Sequence, residues 1–426
     1  MWTDLPKSVT EALDRLCARG FSAFLVGGCV RDILRGVMPH DYDLTTSATP
    51  QETKAVFGDK PVIETGIKHG TVTVLLDGMP LEITTFRRDG TYSDGRHPDG
   101  VAFATDIRED LSRRDFTVNA MAWSPQTGVV DLFGGREDLQ NGVIRCVGEP
   151  LRRFHEDALR ILRGIRFASQ LRFSVEEQTA RAMKDCVPLL EHVSAERIAR
   201  EFFLLLCGPG AEAVLTEYPE IVAFFVPELC ASPEQYARAV CAVSAVSPVL
   251  PLRLAAFFHC LGLTPKESAS MAATILKRLR AENKLIRSVS CLISEYETVL
   301  QPMDDPMALR LLQRVPSELV ESLLALARGV ASIRDKSDIS LQCTEETADR
   351  LCRLLASSPC LSVGELAITG RELLQLGCPP GEAVGRLLHT LLEEVTDGIV
   401  ANAPKELLQR AQKILEKSAH AVLKND

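Results

Sequence analysis

Apolar positions along the chain follow two rhythms. In the first 150 residues, short β-rich runs alternate with turn signals such as DG, PDG and GG. These runs are FSAFLVGG (21–28), TVTVLL (71–76), LEITTF (81–86) and VVDLF (129–133). With a few helical stretches between them, they predict an α+β domain with a mixed sheet over 1–150. From about residue 151 the strand rhythm stops. LRRFHEDALRILRGIRFASQL (151–171), AERIAREFFLLLC (195–207), RLAAFFHCLGL (253–263), LVESLLALARGVASI (319–333) and AVGRLLHTLLEEV (383–395) repeat their apolar residues at helical spacing. Pro and Gly break this remainder at 208–210, 248–251 and 379–381. It is too long for one bundle. The expected division is a helical segment over 151–207, a second over 208–330 and a third over 331–426.

Composition narrows the class. The chain has 426 residues, 46% hydrophobic and 25% charged, which argues against disorder and allows several domains. No apolar stretch reaches the roughly 20 residues that cross a bilayer. The N-terminus lacks the basic-then-apolar layout of a signal peptide, so a cytoplasmic protein without membrane contact is expected. The 13 cysteines have no C-x-x-C spacing and read as reduced, mostly buried thiols.

The net charge of −9 on its own argues against a nucleic-acid partner. Local charge says otherwise. From Arg145 to Arg172 seven Arg face three acids, Glu149, Glu156 and Asp157, a surplus of four. In LKRLRAENKLIRSV (276–289), Lys277, Arg278, Arg280, Lys284 and Arg287 face Glu282 alone. On a helix that segment is either a cationic stripe for RNA phosphates or a solvated face.

The densest chemistry lies in FLVGGCVRDILRGVMPHDYDLTTSATP, residues 24–50. An apolar run ends in Gly27-Gly28, Arg31-Asp32 opens a helix that stops by Gly36, and a new strand carries Asp41-Tyr42-Asp43-Leu44. Residues two apart on a strand share a face, so Asp41 and Asp43 project together. Two such carboxylates repel unless a cation lies between them. Mg²⁺ takes one or two carboxylates plus phosphate oxygens. Gly28 lets backbone N–H groups approach a phosphate, and Arg31 adds a cation. A lone D-x-D or G-G is weak; the ordered set points to metal-dependent nucleotidyl transfer. Glu82, among apolar residues on an expected neighbouring strand, is either a cross-strand ion-pair partner or a third carboxylate at the metals.

This segment resembles the signature of the polymerase-β-like nucleotidyltransferases. More narrowly, it is similar to the class II CCA-adding tRNA nucleotidyltransferases and the related bacterial poly(A) polymerases. ETGIKHGTVTV (64–74), LEITTFRRDGTYSDGRHPDGVAF (81–103), EDLSRRDFTVNAMAW (109–123), DLFGGREDLQNGVIRCVGEP (131–150) and RRFHEDALRILRGIRFASQL (152–171) continue the likeness in order. ITGRELLQLGCPPGEAVGRLLHTLLEEV (368–395) resembles the family's tail segment. The resemblance implies a nucleotidyltransferase head followed by all-helical neck, body and tail, with CTP, ATP and tRNA as partners. It implies in-line attack of a tRNA 3′-hydroxyl on the α-phosphate, with metal ions at Asp41 and Asp43 and the triphosphate at Gly28 and Arg31. It leaves a homodimer open.

Base choice has a hydrogen-bond reading. Asp157, Arg160, Arg163 and Arg166 are spaced by three, either as a solvated ion-pair face or as a recognition edge. A carboxylate accepts from the amino group of C or A, and an Arg donates to the neighbouring ring acceptor. U and G place a carbonyl where the amino group would be. Asp157 with Arg160 therefore accepts CTP and ATP, the role the family gives its E-D-x-x-R motif. Arg163 and Arg166 would reach the base, ribose or phosphates. The resemblance implies that Arg114 contacts the nucleotide and that Asp115 meets the ribose; Asn119 reads as a backbone-fixing residue and Arg113 as a phosphate or tRNA contact.

Within the family, the poly(A) polymerases carry an Arg/Lys-rich stretch where this chain has ETGIKHGTVTV. The loop RRDGTYSDGRHPDG (87–100), which CC-adding relatives lack, is present, with His97 in place of a second Arg. Full CCA addition is the expectation; poly(A) synthesis or partial CC or A addition is the alternative. Some relatives carry a metal-dependent phosphohydrolase domain with an H-D pair. Here His259 precedes Cys260 and reads as a core or capping histidine, without phosphatase activity. A scaffold with an inactive transferase domain would not need an intact D-x-D and EDALR. A small-molecule nucleotidyltransferase would not explain the helical remainder.

Overall fold

The computed structural model describes residues 2–64, 66–89, 101–334 and 338–422. The chain forms two compact units, Met1–Pro233 with Arg278–Arg280, and Glu234–Lys277 with Ala281–Asp426.

The first unit begins with α1 (Lys7–Ala18), which buries Val9, Ala12, Leu13 and Leu16 at helical spacing. Then come β1 (Ala23–Val26), α2 (Gly28–Leu34), β2 (Asp43–Thr46) and α3 (Pro50–Val56). A capping box between Thr49 and Glu52 starts α3. β3 (Val62–Ile63), β4 (Thr71–Leu76), β5 (Met79–Thr85), β6 (Arg87–Asp89), β7 (Val101–Phe103), α4 (Ile107–Ser112), β8 (Met121–Ser124), β9 (Gly128–Asp131) and α5 (Gly135–Asn141) follow.

Seven strands form one sheet in the order β3-β4-β5-β2-β1-β8-β9. β2 and β5 run parallel, while the other paired neighbours run antiparallel, so the sheet is mixed as expected. Leu25, Leu44, Val72, Val74, Leu81, Ile83 and Met121 pack beneath it with the apolar face of α1. Each fully buried side chain of this size contributes about 1.5–3 kcal/mol. β5 alternates, so Ile83 is buried while Glu82 faces away from the core. β8 was not foreseen as a strand; all four of its residues are buried, which removes the alternation that marks a half-exposed strand.

Beyond the sheet, β10 (Val143–Ile144), α6 (Pro150–Glu156), α7 (Leu159–Leu171), β11 (Ser174–Val175), α8 (Glu177–Asp185) and α9 (Ala195–Leu206) continue the first unit. The single helix expected over 151–171 is two. Asp157 is extended (φ −150°, ψ 104°), and its Oδ1 accepts from Leu159 N at 3.1 Å. An Asp side chain offers the backbone this alternative to the helix ladder. α7 packs tightly: a methyl group on Gly164 would stand 2.1 Å from Met183 Cε and 2.9 Å from Phe116 Cζ.

The second unit is helical among its described residues. Its helices include Leu250–Phe258, Pro265–Arg278 up to Lys277, Asn283–Glu295, Val320–Arg334, Glu382–Thr396 and Pro404–Val422. Leu373, Leu391, Leu407 and Ala411 are central to one of its apolar clusters. Gly381 (φ 93°) opens the helix after Pro379-Pro380.

The segment 276–289 is not one helical stripe. Arg280 takes a left-handed conformation (φ 55°) between two helices. Arg278 pairs with Glu228 at 2.5 Å and Arg280 with Glu196 at 2.7 Å, all four within the first unit. Lys277, Lys284 and Arg287 are exposed. His259 is 3% exposed and its Nδ1 lies 2.7 Å from Ala256 O, a buried position in keeping with a core histidine.

No described helix is long and apolar enough to cross a membrane. None of the thirteen cysteines is in a disulfide, but five are buried, six intermediate and two exposed, so "mostly buried" overstated their burial.

Candidate active site

Asp41, Asp43 and Glu82 lie where β2 emerges beside β5. β2 begins at Asp43, so Asp41 precedes the strand rather than lying on it, which corrects the strand expected over 41–44. The alternation nevertheless holds: Tyr42 is buried between exposed Asp41 and Asp43. Across the parallel pair, Asp43 is in register with Glu82. Although Asp43 keeps exposed surface, crowding by neighbouring protein atoms desolvates its carboxyl and pushes it up, Glu82 and Asp41 push the same way, and Arg114 opposes them. Asp41, Glu82 and Arg114 thus all act on Asp43.

The donor set is all carboxylate oxygen, which suits a hard divalent cation. Among the described residues no three His, Cys, Asp or Glu side chains already stand as a metal-holding group. Mg²⁺ does not need such a cage, because it is bound through one or two carboxylates while phosphate and water complete its shell.

Gly27 and Gly28 form the floor. Gly27 adopts φ 79° and ψ −133°, which L side chains rarely take, and a methyl group there would stand 3.0 Å from Arg114 Nη1. A methyl group on Gly28 would stand 3.7 Å from Arg31 Nη2. Two guanidiniums therefore lie over the glycine turn. The Arg31 guanidinium is fixed by Asp32 (Nε to Oδ1 2.9 Å, Nη2 to Oδ2 2.9 Å) and by Asn119 (Nη1 to Oδ1 2.8 Å). Arg114 donates through Nη2 to Asp110 at 3.2 Å, and its Nε is buried without a hydrogen-bond partner among the described residues.

A chain of polar contacts runs from this floor into α7. Asn119 Nδ2 donates to Asp115 Oδ1 at 3.5 Å, and Asp115 Oδ2 accepts from Arg163 Nε at 2.8 Å and Nη2 at 2.5 Å. Burial works against the Asp115 charge, but Arg163 outweighs it and holds the carboxyl at about 2. Asn119 therefore fixes side chains rather than only backbone. Asp115 is anchored by Arg163 through Oδ2 and by the backbone N–H of Phe116 through Oδ1.

The base-reading candidates share a turn, Arg160 N donating to Asp157 O at 3.0 Å, but their side chains take different partners. Asp157, at the break between α6 and α7, accepts from Arg197 at 3.4 Å. Arg160 is 8% exposed; it donates to Glu156 Oε2 at 2.9 Å and to Arg113 O at 3.0 Å. Glu156 also accepts from Arg152 and Arg153 and is the hub of this turn. Arg166 is turned to Glu201 (2.5 Å) and Gln170 (2.8 Å), and its guanidinium lies 3.8 Å from the Phe167 ring centre. Arg31 and Arg163 approach the same ring at 5.5 and 5.4 Å.

Arg152, Arg153, Arg160, Arg163 and Arg166 are thus engaged with acids inside the unit, as is Arg145 with Asp138. The basic surplus read from 145–172 is largely neutralised. Sequence reasoning missed Asp110 and the hub role of Glu156. Opposite charges three and four residues apart, Asp110 with Arg113 and Arg114, were the available signal. The loop residues 90–100, with His97, lie outside the described residues.

Comparison with known proteins finds relatives over nearly the whole chain. A family model for the poly(A) polymerase head domain matches residues 23–145. A model for an RNA- and SrmB-binding site of polymerase A matches 172–231, and one for tRNA nucleotidyltransferase domain 2 matches 252–411. A CCA-adding enzyme of Enterococcus faecalis is 38% identical, over 98% of this chain and 99% of that protein. One of Lacticaseibacillus paracasei is 36% identical, over 94% and 95%. The fold matches the crystal structure of the Bacillus stearothermophilus CCA-adding enzyme in complex with CTP, with a TM-score of 0.78, 28% identity and coverage of 97% and 98%. It also matches a Thermotoga maritima CCA-adding enzyme complexed with tRNA, with a TM-score of 0.65 and 20% identity over 96% of each chain.

Proposed function

This chain belongs to the class II CCA-adding tRNA nucleotidyltransferases, and from that premise we propose how its own residues add C, C and A to the 3′ end of tRNA from CTP and ATP. The carrying observation is the register of Asp43 with Glu82, with Asp41 beside them and Arg114 over the Gly27 turn. Nucleotidyltransferases of this kind use divalent metal ions. Here Mg²⁺ is the proposed ion and Asp41 and Asp43 its holders. When bound, it supplies Lewis-acid activation of the attacking 3′-oxygen and neutralises charge on the triphosphate.

The protein's own part is positioning and electrostatics. The Gly27-Gly28 turn lets the triphosphate approach the backbone, and Arg31 and Arg114 meet its charge. Glu82 adds a third negative group that favours a cation at Asp43. Asp157 accepts the amino group of C or A, and Arg160, steadied by Glu156, donates to the ring acceptor. Arg163 is steadied by Asp115 at the wall of the nucleotide site, and Arg166 supports that wall from behind.

In this reading residues 1–150 are the catalytic head, 151–207 the neck, 208–330 the body and 331–426 the tRNA-binding tail. The working compartment is the cytoplasm. The test is incorporation of labelled CMP and AMP into tRNA lacking its terminal CCA. The wild-type protein incorporates both and Asp43→Ala neither; incorporation by a folded Asp43→Ala protein at the wild-type rate overturns the assignment.

A further inference from the structure

We propose that Asp110 is a positioning residue for nucleotidyl transfer, setting the orientation of Arg114 over the glycine turn. This rests on the reading of Arg114 as a nucleotide contact.

Asp110 lies in α4 and is 0% exposed, so it cannot touch a nucleotide itself. A carboxylate buried this deeply is costly unless each oxygen is partnered. Oδ1 accepts from Arg113 Nε at 3.0 Å and Nη2 at 2.8 Å. Oδ2 accepts from Arg114 Nη2 at 3.2 Å. Thr45 Oγ1 lies 3.4 Å from Oδ2 but only 3.1 Å from Thr84 O, and its single proton serves one acceptor at a time. Arg114 is therefore the main partner of Oδ2. Arg113 and Arg114 together keep Asp110 ionised against burial.

The placement matters because Arg114 is otherwise lightly held. Among the described residues its Nε is buried without a partner, while its Nη1 stands 3.0 Å from where a Gly27 methyl group would be. Its charge also acts on Asp43. One buried carboxylate thus aims a guanidinium at the place where glycine turn and carboxylates converge. Through Arg113, whose carbonyl accepts from Arg160 Nη2 at 3.0 Å, the same anchor touches the base-reading side. Arg113 is bound at Oδ1, so removing the acceptor at Oδ2 alone isolates the Arg114 arm.

Asp110→Asn does this when its carbonyl oxygen stays with Arg113, because the amide then turns an N–H₂ toward Arg114. Steady-state kinetics with CTP and ATP on full-length protein, for Asp110→Asn, Arg114→Ala and the double variant, form the test. Misplacement of a contacting group costs about a hundredfold. Asp110→Asn is expected to lower kcat/KM for both nucleotides about ten- to hundredfold while KM for tRNA stays unchanged. In the Arg114→Ala background, Asp110→Asn is expected to add less than about twofold. Equal losses in both backgrounds, or wild-type kinetics for Asp110→Asn, overturn the proposal. Unchanged kcat/KM in Arg114→Ala instead marks failure of the underlying reading of Arg114, and the proposal falls with it. Should Asp110→Asn fail to fold, Asp110→Glu keeps the charge, moves the carboxylate by one methylene and enters the same cycle.

Discussion

Asp43 and Glu82 stand in register across the parallel β2–β5 pair, two acids facing the same side of the sheet. Like charges directly opposite on neighbouring strands destabilise a sheet. Their retention at the mouth of a glycine turn, with Asp41 adjacent, is the physical argument for a cation there. Asp41→Ala or Asp43→Ala should lower nucleotide incorporation about a thousandfold or more, and chelation of divalent ions should do the same until Mg²⁺ is restored. Glu82→Gln should cost less, about ten- to hundredfold. A radiolabel incorporation assay reads all of these, and a fully active Asp43→Ala would remove the metal assignment.

Base selection should follow Asp157. Asp157→Ala removes the acceptor for the amino group of C and A, so discrimination against UTP should fall by about 1–3 kcal/mol. Competition between CTP and UTP at equal concentration measures it. An unchanged ratio with a uniformly slower rate would mean that Asp157 only breaks the helix and holds Arg197.

The long-range partners were the part that sequence could not supply. The glycine turn, the D-x-D and the strands β1, β4, β5 and β9 were legible because each is a local pattern. Arg31 meets Asn119 across 88 positions and Arg163 meets Asp115 across 48, and nothing local records such pairings. Spacing by three suggested that Asp157 and Arg160 share a helix face. The break at Asp157 came instead from a side chain competing with the helix ladder. Net charge misled in both directions, since the acidic total hid basic segments, and the segment 145–172 then spent its surplus on internal ion pairs.

The Asp115–Arg163 pair predicts a signature at low pH. The Asp115 carboxyl is held at about 2 in the fold against 3.8 ordinarily. A depressed carboxyl contributes stability that is complete above its unfolded value and lost as pH falls through its folded value. The contribution is roughly 2 kcal/mol. Urea denaturation can be followed by tryptophan fluorescence, since Trp2 and Trp123 stack at 4.4 Å in the first unit. Between about pH 5 and pH 2 the wild type should lose roughly 2 kcal/mol more than Asp115→Asn. Parallel losses would place the titration elsewhere.

Gly135 should resist substitution. A methyl group there would lie 2.3 Å from Thr117 O, in the turn that carries Asn119 to Arg31. Backbone must move, so Gly135→Ala should cost about 1–3 kcal/mol and lower Tm. The loss of Arg31 alignment should also slow CMP and AMP incorporation together. A stable variant with normal kinetics would show that the turn yields freely.

The most direct measurement supplies tRNA lacking its 3′ CCA with CTP alone, ATP alone, both together, and UTP or GTP. Product length is resolved to single nucleotides. CTP alone should extend the tRNA by two residues, CTP with ATP by three and no further, and UTP or GTP should add none at comparable concentrations. Continued extension with ATP alone, or no extension under any condition, would contradict the assignment.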